Sequence, residues 1–139
     1  MSTVTGAVPR TRQGLRVEVA SQAVTVAGTV LLTIGGVVHF NLGDTLLHRA
    51  AHYIVALFFL NAAGTLVAVA GMALRVRGAW TLGALISVPS IVLLLIAGTS
   101  GLPEVHLRSL TSGTELLCLC AEVLYTLLWL PLAGRDLGI

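Results

Sequence analysis

The sequence predicts an all-α integral membrane protein, a four-helix bundle with both termini in the cytoplasm. Three observations lead there. Hydrophobic residues make up 56% of the 139 and charged residues only 10%, where a soluble domain carries about a quarter charged; mean hydropathy is +0.96. Four apolar runs, at about 20–40, 53–74, 80–97 and 116–132, each come close to the ~20 residues with which an α-helix crosses a hydrocarbon core about 30 Å thick. Clusters of charged and turn-forming residues separate the runs. This composition excludes a disordered chain and an ordinary cytosolic enzyme. With a net charge of +2 it also lacks the basic surface of a nucleic-acid binder.

Residues 1–19 are mostly polar, carry Arg10, Arg12 and Arg16, and read as a cytoplasmic tail. The first span, 20–40, stops at Asn41, Gly43 and Asp44, all turn formers. A cleaved signal peptide is the competing reading, but the apolar core exceeds the usual length of about 7–15 residues and no small-x-small cleavage site precedes a polar start. It is kept as a span. The second span, 53–74, ends at Arg75, Arg77 and Gly78, and the third, 80–97, gives way to Gly98, Ser100, Gly101 and Pro103. Pro89 inside the third is expected to kink the helix without breaking it. The fourth, 116–132, closes on Pro131 and Gly134, which makes 20–133 one membrane domain and 134–139 a second cytoplasmic tail. In lipid each backbone polar group must be bonded within the protein, so runs of this length are helices. The ten-residue alternation of a barrel is absent.

Arginine distribution orients the bundle. Arg10, Arg12, Arg16, Arg75, Arg77 and Arg135 share the side of the termini, and only Arg49 and Arg108 lie opposite, which predicts an N-in/C-in topology. Arginine without lysine, with abundant Ala, Leu, Val and Gly, fits a GC-rich bacterial genome, so the expected location is the bacterial plasma membrane. Small residues recur at helix-contact spacing: Gly28 and Gly35, Gly64 and Ala68 followed by Gly71, Gly83 and Ser87. Such positions let membrane helices approach closely.

Polar residues inside the spans need a reason. In the fourth span Glu115, Cys118, Glu122, Tyr125 and Trp129 follow at alternating steps of three and four and form one face, the expected seam of an antiparallel bundle. Glu122 lies about 10 Å deeper than Glu115 at about 1.5 Å per residue, where a carboxyl must be protonated or paired. Asn61 reaches a comparable depth in the second span. Asn61, Glu115, Glu122 and Tyr125 therefore define an expected polar pocket in the outer half. Glu122 reads either as a proton-exchanging or ligand-binding carboxyl, or as a neutral acid bonded to Asn61, Tyr125 or a carbonyl that fixes helix register.

The four histidines, His39, His48, His52 and His106, all fall at or near the outer face. His48 and His52 are four apart and would share one face of a helix. With His39, Glu104 and His106 they make a candidate metal set, suited by ligand type to copper or zinc. A haem b would need two histidines on facing spans, and only His39 is near the interior of one. The simplest reading leaves these side chains in the headgroup region with no cofactor. Cys118 and Cys120, two apart on a helix, point to nearly opposite sides and do not form a disulfide. No nucleophile elbow, phosphate loop or dinucleotide motif is present, and too little chain lies outside the bilayer for a soluble active site.

The segments Gly35-Gly36-Val37-Val38-His39, Leu60-Asn61-Ala62 and Gly101-Leu102-Pro103-Glu104 resemble a group of small actinobacterial four-span membrane proteins without assigned function. The resemblance covers about residues 25–130. It implies the four-span fold and marks His39, Asn61, Glu104 and Glu122 as positions to test first. Small multidrug transporters also have four spans, but they carry their acid in the first helix, where this chain has none. The function expected from the sequence is that of an accessory or scaffolding subunit. It would contact the lipid bilayer and pack against other membrane proteins or a second copy of itself, without nucleic acid. The alternatives are a metal- or haem-binding redox protein using the outer histidines, and a proton-coupled carrier centred on Glu122.

Overall fold

The structure, a computed structural model, describes residues 12–48, 50, 52–99 and 113–138. Its elements are α1 (Arg12–Leu46), α2 (His52–Ala73), α3 (Ala79–Thr99) and α4 (Gly113–Trp129), then a 3-10 turn (Leu130–Leu132) and a short α5 (Ala133–Leu137). There is no strand among the described residues. Four segments, Glu18–Leu46, His52–Ala73, Ala79–Thr99 and Gly113–Leu137, are long and apolar enough to cross a membrane.

Helix α1 has 35 residues, about 52 Å at 1.5 Å per residue, and runs past both ends of the apolar run at 20–40. Asn41, Gly43 and Asp44, expected to form a turn, are helical. Tertiary packing overrides their local preference. Gly43 is buried against α2, where a Cβ would stand 3.1 Å from Phe58 Cβ and 3.4 Å from the Phe59 ring, so this glycine serves close helix approach. The Thr45 hydroxyl donates to the Asn41 carbonyl at 2.8 Å within the same helix turn. The chain reverses after Leu46 instead.

Helix α2 closes with a Schellman arrangement: Val76 N–H donates to Gly71 O at 2.8 Å and Arg75 N–H to Met72 O at 3.1 Å. The left-handed residue this motif needs is Arg75, at φ 56°, a position that glycine usually fills. Helix α3 runs uninterrupted through Pro89.

The helices form a ring in which α1 packs on α2 and α4, and α3 packs on the same two. This leaves α1 opposite α3 and α2 opposite α4. Packing is inside-out relative to a soluble bundle. Leu60 and Leu66 are 69% and 70% exposed, whereas Ala68 is fully buried and Ala62, Ala84, Ala121, Cys118 and Ser87 fill the interior beside Leu32, Met72 and Tyr125. Lipid satisfies outward leucines as well as a core would, so the interior goes to small residues that bring backbones together. Arg75, Arg77 and Arg135 lie at one end of the bundle, where Asp136 meets the start of α3. The α1–α2 connection, with His48, lies at the other.

Candidate metal centre

In the half of the bundle nearer the α1–α2 connection, the interior is polar. His39 of α1, Cys118 and Glu122 of α4, and Ser90 of α3 are all buried. Helical spacing sets Cys118 and Glu122 one turn apart on one face of α4, and that face turns toward α1. Gly35 lies against Glu122, where a Cβ would make ordinary van der Waals contact with Glu122 Cγ at 3.6 Å. His39 Nδ1 is 3.6 Å from Cys118 Sγ and 3.9 Å from Glu122 Oε1. One ligand atom from each of the three residues lies within 4.8 Å of the others.

The hydrogen bonds around the triad leave it partly open. His39 Nδ1 is 2.8 Å from the Gly35 carbonyl. A carbonyl oxygen only accepts, so Nδ1 carries a proton. His39 Nε2 faces the Ser90 hydroxyl at 3.0 Å, and the ring packs against Phe58 with centroids 5.6 Å apart. Glu122 Oε2 is buried with no hydrogen-bond partner, which leaves an open acceptor position beside the imidazole and the thiol. Imidazole nitrogen, thiolate sulfur and carboxylate oxygen are all zinc ligands. Metal–ligand distances of about 2.0–2.3 Å in a tetrahedron put nitrogen and sulfur about 3.6 Å apart and nitrogen and oxygen about 3.4 Å apart. The observed 3.6 Å matches the first separation and 3.9 Å exceeds the second by about 0.5 Å; a metal here would also displace the Nδ1 bond to the Gly35 carbonyl.

The structure distributes the sequence-derived candidates differently from the expected sets. Glu122 faces His39 of the neighbouring α1, whereas Asn61 lies half-buried on α2, which stands diagonally across the ring from α4. Tyr125 leaves the expected pocket altogether. Its hydroxyl donates to the Trp80 carbonyl at 2.9 Å and its ring stacks on Trp80 at 5.7 Å and 8°, one turn further toward the arginine end. Glu115 is half-buried in the first turn of α4. His48 and His52 share no helix face: His48 follows the end of α1, His52 begins α2, and both are exposed. Of the expected metal set only His39 enters the buried cluster, and Glu104 and His106 lie outside the described residues. The described histidines do not offer the facing pair that a haem requires. Cys118 and Ser90 were missed as site residues. The signal for Cys118 was its four-residue spacing to Glu122 on the α4 seam; Ser90 had none.

Fold and site together define a small multi-pass α-helical membrane protein with a buried His–Cys–Glu cluster. Comparison with protein-family models, curated proteins and solved structures finds no match to this chain.

Proposed function

We propose that the protein binds a zinc-class transition-metal ion inside the membrane through His39, Cys118 and Glu122. One observation carries this reading: three residues capable of ligating a metal, drawn from the first and fourth helices, are buried together with ligand atoms within 4.8 Å. Burying a thiol, an imidazole and a carboxyl in a bilayer is costly without a task, and a metal ion would satisfy all three at once. The mixed nitrogen, sulfur and oxygen set suits zinc better than the softer copper(I) or the harder magnesium. Three protein ligands leave a fourth position for water or a substrate group. The accessory-subunit reading rests on the small-residue faces and the short segments outside the spans, and the small residues Gly28, Gly35, Gly83 and Ser87 are taken up by packing within the bundle itself. The arginine distribution supports a bacterial plasma-membrane protein with both termini inside, and the resemblance of a few short segments to small actinobacterial four-span proteins is in keeping with that setting.

The test is elemental analysis of protein purified without a histidine tag, then loaded with Zn²⁺ or Co²⁺ and freed of excess metal. Stoichiometric metal is expected, with thiolate-to-cobalt charge-transfer absorption that disappears in Cys118→Ser, and metal loss in His39→Ala. Metal-free wild-type protein, or metal retained in both variants, would overturn the proposal.

A further inference from the structure

His39 must change tautomer to serve the site just described, and Ser90 is placed to let it. The nitrogen that faces Cys118 Sγ at 3.6 Å and Glu122 Oε1 at 3.9 Å is Nδ1. That same atom holds a proton against the Gly35 carbonyl at 2.8 Å, and a protonated ring nitrogen has no lone pair for a metal. In the neutral ring Nε2 is then the acceptor, and the Ser90 hydroxyl, 3.0 Å away, donates to it. Ser90 lies beside both the ring and the Glu122 carboxyl, and a neutral hydroxyl is not among the usual zinc ligands.

We infer that Ser90 is a positioning residue for the metal centre: metal binding moves the ring proton from Nδ1 to Nε2, and the Ser90 hydroxyl turns from donor to acceptor to hold it there. This inference rests on the metal-binding reading. The balance is simple, because the ring is neutral before and after. Nδ1 gives up its proton and its bond to Gly35, Nε2 gains a proton, and the Nδ1 lone pair goes to the metal. A hydroxyl suits this exchange because it can rotate and serve either tautomer, as a carbonyl or an ammonium cannot.

The orientation of Ser90 supports the assignment. Hydroxyls in helices commonly bond back to the carbonyl four residues earlier, and Thr25, Thr33, Thr45, Thr99 and Thr126 all do so in this chain. Ser90 instead reaches across to α1. Its helix neighbour Ser87, also buried, has no hydrogen-bond partner at Oγ, so interior serines of α3 are not drawn into back-bonding by default. A metal-ligating histidine generally has its second nitrogen held by such a partner, whose loss lowers metal affinity about 10–100-fold.

The experiment is nitrogen NMR of the full chain, labelled at histidine and held in micelles, before and after addition of Zn²⁺. It is joined to Zn²⁺ affinity measurements on wild type, Ser90→Ala and Ser90→Thr. The expected result is a proton on Nδ1 of His39 without metal and on Nε2 with it. Affinity should fall about 10–100-fold in Ser90→Ala and recover in Ser90→Thr. A ring that keeps its Nδ1 proton in the Zn²⁺-bound protein, or a Ser90→Ala affinity equal to wild type, would overturn the role of Ser90 and leave the metal centre standing. Wild-type protein that takes up no Zn²⁺ would overturn both. The tautomer measurement uses wild-type protein, so it can still overturn the proposal even if Ser90→Ala does not fold.

Discussion

The two halves of the bundle bury polar groups in opposite ways. At the arginine end each polar group serves the fold. The Asp136 carboxylate accepts from Gly78 N–H at 3.1 Å, Thr81 N–H at 2.8 Å and the Thr81 hydroxyl at 2.7 Å. It thereby caps the α3 N-terminus from the far end of the chain and places negative charge where the helix dipole favours it. Trp129 Nε1 donates to Thr81 Oγ1 at 3.3 Å, and Tyr125 bonds the Trp80 carbonyl at 2.9 Å. In the other half, Glu122 Oε2 has no hydrogen-bond partner, and His39 meets Cys118 and Glu122 only at 3.6 and 3.9 Å. A lock and a site use the same residue types. What separates them is whether the polar atoms are satisfied by the protein itself.

The largest expected effect at the lock is that of Gly83→Val. A Cβ at Gly83 would collide with the Tyr125 hydroxyl and stand 2.8 Å from Leu32, so the variant should lose about 3 kcal/mol or fail to assemble in denaturant titrations in micelles. Asp136→Ala comes next. It uncaps α3 and removes three bonds to a charged acceptor, with an expected loss of about 2 kcal/mol and faster hydrogen exchange at Gly78 and Thr81. Tyr125→Phe keeps the stack on Trp80 and loses only the hydroxyl bond, so about 1 kcal/mol is expected in the same titration.

Glu122→Gln should change stability least, by less than about 1 kcal/mol, because Glu122 Oε2 has no hydrogen-bond partner and the amide keeps the shape and one acceptor oxygen. Its effect belongs to binding: Zn²⁺ affinity should fall by more than the ~10–100-fold of an outer-shell loss. If Glu122→Gln instead destabilised the bundle as much as Asp136→Ala, the contrast between lock and site would collapse and Glu122 would be a structural acid.

How far the site was legible depended on the range of the contacts. The α4 seam could be read because Cys118, Glu122 and Tyr125 repeat at helical spacing, and all three are buried. The turn after the first span was misplaced because Asn41, Gly43 and Asp44 carry turn chemistry, while Gly43 is occupied by the Phe58 and Phe59 contact. Pairing Glu122 with Asn61 by depth failed on a different point: equal depth says nothing about which helices are neighbours. Helices that are apolar nearly all round give no amphipathic face by which to orient them, so a lone histidine or serine can point to lipid or to the interior with the same sequence around it.

The sequence by itself determined that this is a membrane protein of four helical spans, with Arg75 and Arg77 between two of the spans and Arg135 after the last. Those properties follow from the length and hydropathy of local segments, which the bilayer reads directly. The tertiary structure alone decided that His39, Ser90, Cys118 and Glu122 share one interior, and that Tyr125 and Asp136 do not. Residues 79 positions apart in the chain meet only once each helix has been rotated into place. That rotation is set by small-residue packing between backbones, a contact whose partner no single segment encodes.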